Sequence, residues 1–384
     1  MLKRILLKIN FCEFTGAAGN SLNKKNNFIS KYSEPKHNMK KISFSACSLF
    51  ILLTLLSCQK NQVPFTQSGN WVPEAQLNGP SRSQAVSFVI DNFAYVGTGW
   101  DGLVTRFNDF WKYDPVNNVW AQVNSMPANT GRSSAVGFAC NGKGYVGTGY
   151  DGNNYLGDFY QFDPVANVWT QKANFGGSNR YEAVAFSIGN YGYVGTGFDG
   201  TYALKDFYIY DPVADSWTYL GFSGNKRYAA VAFVYNNAGY VVSGVDAGNM
   251  VGDFWRFGPD SSKWTELRQI YNYSTDSYDD GYTTIERSDG CGFIANNHAY
   301  LSTGNKNGYN TNTWEYDFVA DLWTEKTPFQ GPPTTGAVGF SLTPDSANLG
   351  GGGFIATGSF GTGQAGSSDY LWQFFPLQVQ NPNN

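Results

Sequence analysis

Five arginines recur at matched places in this 384-residue chain: Arg82, Arg132, Arg180, Arg227 and Arg287. A guanidinium offers a planar fork of donors that grips a carboxylate through two bonds. Aromatic residues stand beside them. Trp100, Tyr150 and Phe198 each follow a Gly-Thr-Gly and precede an Asp-Gly, while Tyr181 and Tyr228 adjoin two of the arginines. Such rings stack on sugar faces and attract cations. Two carboxylates share the neighbourhood, Glu182 two residues past Arg180 and Glu286 beside Arg287. A carboxylate next to a cation or water can move a proton, so these two are the candidate catalytic groups. A residue repeated this often also serves architecture, by bonding the carbonyls of a neighbouring repeat. Both roles stand open for the arginines, and Glu182 has the further option of a simple ion pair with Arg180.

The elements that position these residues come from a repeat. Trp71, Trp120, Trp169, Trp217, Trp264 and Trp323 follow one another at intervals of 49, 49, 48, 47 and 59 residues, a period that marks a repeat architecture. The clearest copy, residues 180–220, holds four strand-like runs: Tyr181–Ile188, Tyr191–Gly197, Asp206–Asp211 and Ser216–Leu220. Gly, Asn, Asp and Pro separate them, and no helical period competes. Asp-Gly (Asp101, Asp151 and Asp199) accepts positive φ where the chain reverses, and Asp-Pro opens the next turn at Asp114, Asp163 and Asp211. The first strand reads Ala-Val-small-Phe, as at Ala85–Phe88, Ala183–Phe186 and Ala337–Phe340. Small side chains suit strands crowded around an axis. The fold class is therefore all-β, a propeller of four-stranded blades.

The second strand ends in glycine in all six copies (Gly99, Gly149, Gly197, Gly244, Gly304 and Gly358), and an aromatic precedes the Trp by seven in five of them. These residues resemble the kelch repeat family over about 300 residues, and the resemblance implies six blades. Three copies read Gly-Thr-Gly where kelch blades carry a glycine pair. The sixth copy lacks its outer strand after Pro376, and Gly69-Asn70-Trp71 has the look of the missing piece. Residues 70–77 are expected to complete that blade and close the ring. The propeller then occupies 70–376, with 377–384 as a tail.

Strand order places the arginines and the aromatic turns on one rim, since the loop entering the first strand and the loop joining the second to the third share a side. The sixth copy carries Thr335 at the arginine position. One inter-blade loop on this rim is enlarged: 22 residues separate Trp264 from Arg287, against nine between Trp217 and Arg227. Its tyrosines, Tyr271, Tyr273, Tyr278 and Tyr282, offer rigid contact surface. Tyr273 and Tyr278 join the candidate ligand-binding rim.

Upstream of the repeat, Met39-Lys-Lys, the apolar run Ile42–Leu56 and the Ser57-Cys58 ending read as an export signal, 39–57. Leu-Leu-Ser-Cys resembles the bacterial lipoprotein signal, which implies cleavage before Cys58 and its lipidation. Residues 58–69 form a polar tether, and 1–38 read as a misassigned upstream extension. A cell-envelope, periplasm-facing location follows, with membrane attachment through the lipid alone.

From Cys58 onward 17 Lys and Arg face 28 Asp and Glu, a net charge of −11. That balance argues against nucleic acid. Cys140 and Cys291 read as small buried hydrophobes. The kelch-related copper oxidases need two histidine ligands and this part of the chain has only His298, so no metal and no cofactor are expected. The Asp-Gly aspartates lack the run of oxygen ligands that calcium loops use. The expectation is a monomeric, non-catalytic binding module for a glycan, peptide or partner protein. Six-bladed kelch proteins are also similar to sialic-acid mutarotases, and that resemblance supplies the alternative, a sugar epimerase.

Overall fold

A computed structural model of the chain describes residues 67–343, 352–361 and 366–380. The export signal, Cys58 and the upstream extension lie outside the described residues. Six four-stranded antiparallel sheets follow one another as blades. The first is Val86–Ile90, Phe93–Gly97, Phe110–Asp114 and Val119–Val123. The third is Val184–Ile188, Tyr191–Gly195, Phe207–Asp211 and Ser216–Tyr219, matching the four expected runs with trimmed ends.

Alternation within each inner strand divides its work. Phe88 and Ile90 are buried between blades, while Ala85, Val86 and Ser87 line an axial channel of about 250 Å³. Phe88 lies against Gly144 of the next blade, Phe138 against Gly192 and Phe186 against Gly239, where an added Cβ would overlap the ring. Glycine in the second strand thus makes room for the preceding blade's phenylalanine. The outer strands are joined the same way around. The indole N–H of Trp120 donates to the Ala75 carbonyl (2.7 Å), that of Trp169 to Asn124 (2.8 Å) and that of Trp217 to Ala173 (3.2 Å).

The turns follow their sequence signals. Asp114, Asp163, Asp211 and Asp317 accept backbone N–H groups two and three residues on. Asp101, Asp151 and Asp199 do likewise on the rim. These carboxylates are occupied by the turns they cap.

The N-terminal strand closes the ring. Ser68–Glu74 pairs antiparallel with Leu371–Val379 at the outer edge of the sixth blade. The strand starts two residues before the expected 70 and ends before 77. Its partner runs beyond Pro376 into the expected tail. Trp71 is fully buried, with Phe374, Phe329 and Phe293 at centroid distances of 4.7, 5.0 and 5.9 Å.

Candidate functional site at the axial mouth

The five arginines do not line the rim, which corrects the expectation of a guanidinium ring open to ligand. Arg82, Arg132, Arg180, Arg227 and Arg287 are at most 1% exposed. Arg82 holds Asp109 through two bonds of 2.6 and 2.8 Å and donates to the Thr98 carbonyl at 3.0 Å. Arg132 with Asp158 and Arg180 with Asp206 repeat the pattern, while Arg227 reaches one carboxylate oxygen of Asp253 and the backbone carbonyls of Asp253 and Ser243. Arg287 bonds only carbonyls among the described residues, those of Thr303, Asn312, Ile285 and Thr284, and burial pulls its pKa down to about 9. Burial works against ionising Asp109 and Asp158, yet the bonds and charge of their arginines hold both below the usual carboxylate range. The arginine carbonyls then accept N–H bonds from the preceding blade, as from Gly99 to Arg132 (2.7 Å) and from Gly149 to Arg180 (2.8 Å). Thr334, not Thr335, takes the arginine's place in the sixth copy, accepting from Gly304 at 2.8 Å.

Two residues past each arginine position the chain does something that periodicity did not announce. Gln84, Ser134, Glu182, Ala229, Asp289 and Gly336 all adopt positive φ, between 52° and 61°. They bond one another head to tail around the axis. Ser134 N–H donates to Gln84 (2.9 Å), Glu182 to Ser134 (3.0 Å), Ala229 to Glu182 (3.0 Å), Asp289 to Ala229 (3.0 Å), Gly336 to Asp289 (3.1 Å) and Gln84 to Gly336 (2.6 Å). The left-handed conformation costs a non-glycine residue about 1 kcal/mol or more, and six inter-blade bonds offset it. This closed ring is the floor of the mouth.

Glu182 is therefore held on the ring and does not pair with Arg180, whose partner is Asp206. Burial, then the neighbouring Asp289, push the Glu182 carboxyl well above the ordinary glutamate range. Burial also raises Asp289. Tyr181, pushed up to about 12 by burial and then by Glu182, and Tyr228, raised by burial and then by the same two carboxylates, belong to one cluster with them. Asp289 escaped the sequence reading; its position two past Arg287 was the available signal.

The aromatic residues named from the sequence do gather here. Tyr181 stacks on Tyr155 at 5.3 Å and meets Phe198 at 5.9 Å, and Phe198 meets Tyr228 at 5.3 Å. Tyr150 contacts both Tyr155 and Tyr181. Arg106, also missed, sits over Tyr150 (4.8 Å) and Trp100 (5.7 Å) and donates to Ser133 Oγ. All are half-buried. Blades one to four thus carry an aromatic arc. At the Trp100 end of the arc a recess of about 380 Å³ is lined by Trp100, Tyr309, Asn305, Thr335, Gln84 and Asp289.

Glu286 is elsewhere. It accepts a bond from Lys306 (2.9 Å) and lines a separate groove with Lys205, Lys226, Asp246 and Tyr271. The enlarged loop divides its tyrosines between packing and surface. Tyr282 is buried and accepts the Trp323 N–H at 2.7 Å, Tyr278 lies under Arg268 at 4.7 Å, and Tyr273 is 58% exposed.

Fold and repeat define a class: an all-β, six-bladed propeller bearing the kelch motif, which residues 81–127 match. A particular solved neighbour is YjhT, titled "Structure of YjhT", with a TM-score of 0.60 and 14% identity over 77% of this chain and 95% of that one. At that identity the likeness shows the fold. No curated protein matches the chain.

Proposed function

We propose that the propeller is a carbohydrate-binding module whose ligand sits over the axial mouth. The observation that carries this reading is the aromatic arc standing beside a ring of polar side chains. Half-exposed rings give sugar faces a platform, while Gln84, Ser134, Glu182 and Asp289 offer donors and acceptors to hydroxyl groups. Calorimetric titration with a panel of monosaccharides tests it, using Tyr181→Ala to remove the centre of the arc. Heat with at least one sugar, lost in the variant, is expected; a silent panel refutes the reading.

A second reading, mutarotation of a sugar hemiacetal, is favoured by the two carboxylic side chains, Glu182 and Asp289, that the ring holds on either side of Ala229. One such group in its acid form and one in its basic form would supply the proton donor and the proton acceptor that ring opening needs. NMR anomer exchange decides it, since Glu182→Gln should slow exchange if the pair moves the proton. Lipidation at Cys58 and a cell-envelope location complete the proposal.

A further inference from the structure

We propose that the groove beside the enlarged loop is a second binding site, for a sugar carrying a phosphate or sulfate ester, with the oxyanion held between Lys205 and Lys226. The site stands apart from the axial mouth, since none of the residues lining the groove lines the recess there.

Leu204 and Arg227 face each other across an antiparallel bridge between the third blade and the entry to the fourth, the Arg227 N–H donating to Leu204 at 2.9 Å. Their neighbours Lys205 and Lys226 are therefore opposed as well, at the ~5 Å Cβ separation of cross-strand partners. The matching positions in other copies carry no such pair: Asn108 and Gly131, Gly157 and Asn179, Gly252 and Glu286. At Gly157 an added Cβ would fall 2.3 Å from the Asn179 amide oxygen, so side chains at these two positions meet. Like charges placed opposite one another cost stability. Lys226 leans on Asp246 at 3.5 Å, and Lys205 forms no ion pair among the described residues. The other carboxylates of the groove are already answered, Asp253 by Arg227 and Glu286 by Lys306 at 2.9 Å. An excess positive charge therefore remains beside a cavity of about 660 Å³, in a chain with more acids than bases.

The lysines set the kind of anion. An arginine fork matches a planar carboxylate, whereas two ammonium points suit an oxyanion whose oxygens diverge, as in phosphate and sulfate. Tyr271 supplies a seat for the sugar. It is 37% exposed and lies against Gly252, where an added Cβ would come within 2.3 Å of its ring. Asn225, Asn249 and Gln269 place side-chain amides along the groove, groups that bond hydroxyls.

Titration calorimetry of the protein tests the assignment. The probes are the 6-phosphates and 6-sulfates of glucose and N-acetylglucosamine, the two parent sugars, glucuronate, inorganic phosphate and inorganic sulfate. At least one ester should bind at least about tenfold more tightly than its parent sugar and than glucuronate. Whether the phosphate or the sulfate is preferred identifies the ester. The preference should vanish in Lys205→Gln and in Lys226→Gln, weaken in Tyr271→Ala and persist in Tyr181→Ala. Both lysine variants should melt no lower than the parent, because the pair they relieve is repulsive; a lower melting temperature in both would make the lysines structural and overturn the assignment. Glucuronate binding as tightly as the esters, or a preference that survives both lysine substitutions, also overturns it. Inorganic phosphate or sulfate binding as tightly as the sugar esters reduces the site to an adventitious ion only, and silence from every ester refutes it. Each of these failures leaves the axial reading to its own test with Tyr181→Ala.

Discussion

Glu182 and Arg180 stand two residues apart and have opposite fates. Arg180 turns into its own blade and is neutralised by Asp206, while Glu182 turns to the axis and meets another acid. The difference shows in stability. Removing Arg180 leaves Asp206 facing a buried gap, and the loss of one partner of such a pair costs roughly 3–5 kcal/mol. Arg180→Ala should therefore melt several degrees lower, as differential scanning calorimetry would report. Glu182→Gln should do the reverse. The raised Glu182 carboxyl holds its proton in the folded state over a range where the unfolded chain has released it, so stability falls as pH rises through that range. Asp289, Tyr181 and Tyr228 face the group, with Asp246 near Tyr228 and Cys291 near Asp289. None of these supplies a cation. The variant should melt a few degrees higher at pH 7 to 8, and the gain should disappear toward the ordinary glutamate range near pH ~4.3. A gain that stays constant with pH would contradict this. The sequence made Glu182 visible as a carboxylate near a rim. It did not make its partner visible, because Asp289 becomes a neighbour only when six loops close on one axis.

At the scale of elements, the strands and their turns were legible because each turn has its own chemistry. Asp-Pro and Asp-Gly marked reversals that the carboxylates then cap. The ring of left-handed residues was not legible, since Gln, Ser, Glu, Ala and Asp share no signature for positive φ and only Gly336 hints at it. Arg106 was hidden for another reason: it lies in an irregular turn where the matching positions of other copies carry Tyr155, Ala203, Tyr309 and Ser367 in place of an arginine. The enlarged loop between the fourth and fifth blades was visible by length alone. Its packing follows from which tyrosines find the core. Tyr282→Ala removes a buried ring and the acceptor of the Trp323 N–H, and should cost roughly 3–5 kcal/mol, as large aromatic truncations do. Tyr273→Ala, by contrast, should stay within about 0.5 kcal/mol of the parent in the same denaturant titration. Equal effects would mean that the loop packs differently.

For the whole molecule, closure by Ser68–Glu74 was readable because the sixth copy lacked a tryptophan strand that the first residues of the repeat possess. Its register was not, since the pairing includes an irregularity between Ser68 and Asn70. A chain starting at Gln76 should melt many degrees lower than one starting at Ser68, because it loses Trp71 from the core and exposes the edge of Leu371–Val379. An unchanged melting temperature would show that the sixth blade stands with three strands.

The same pairing orders events in time. The strand that seals the ring is the first part of it to be synthesised, and the partner it needs is the last, some 300 residues later. Until Leu371–Val379 emerges, Ser68–Glu74 has no sheet to join, and the early blades must wait with an open flank. A chain broken off late in synthesis would leave Ser68–Glu74 without its partner and uncover the flanks of the first and fifth blades, against which the sixth packs. Completion of the C-terminal strand is thus the step at which the molecule becomes safe from its own stickiness.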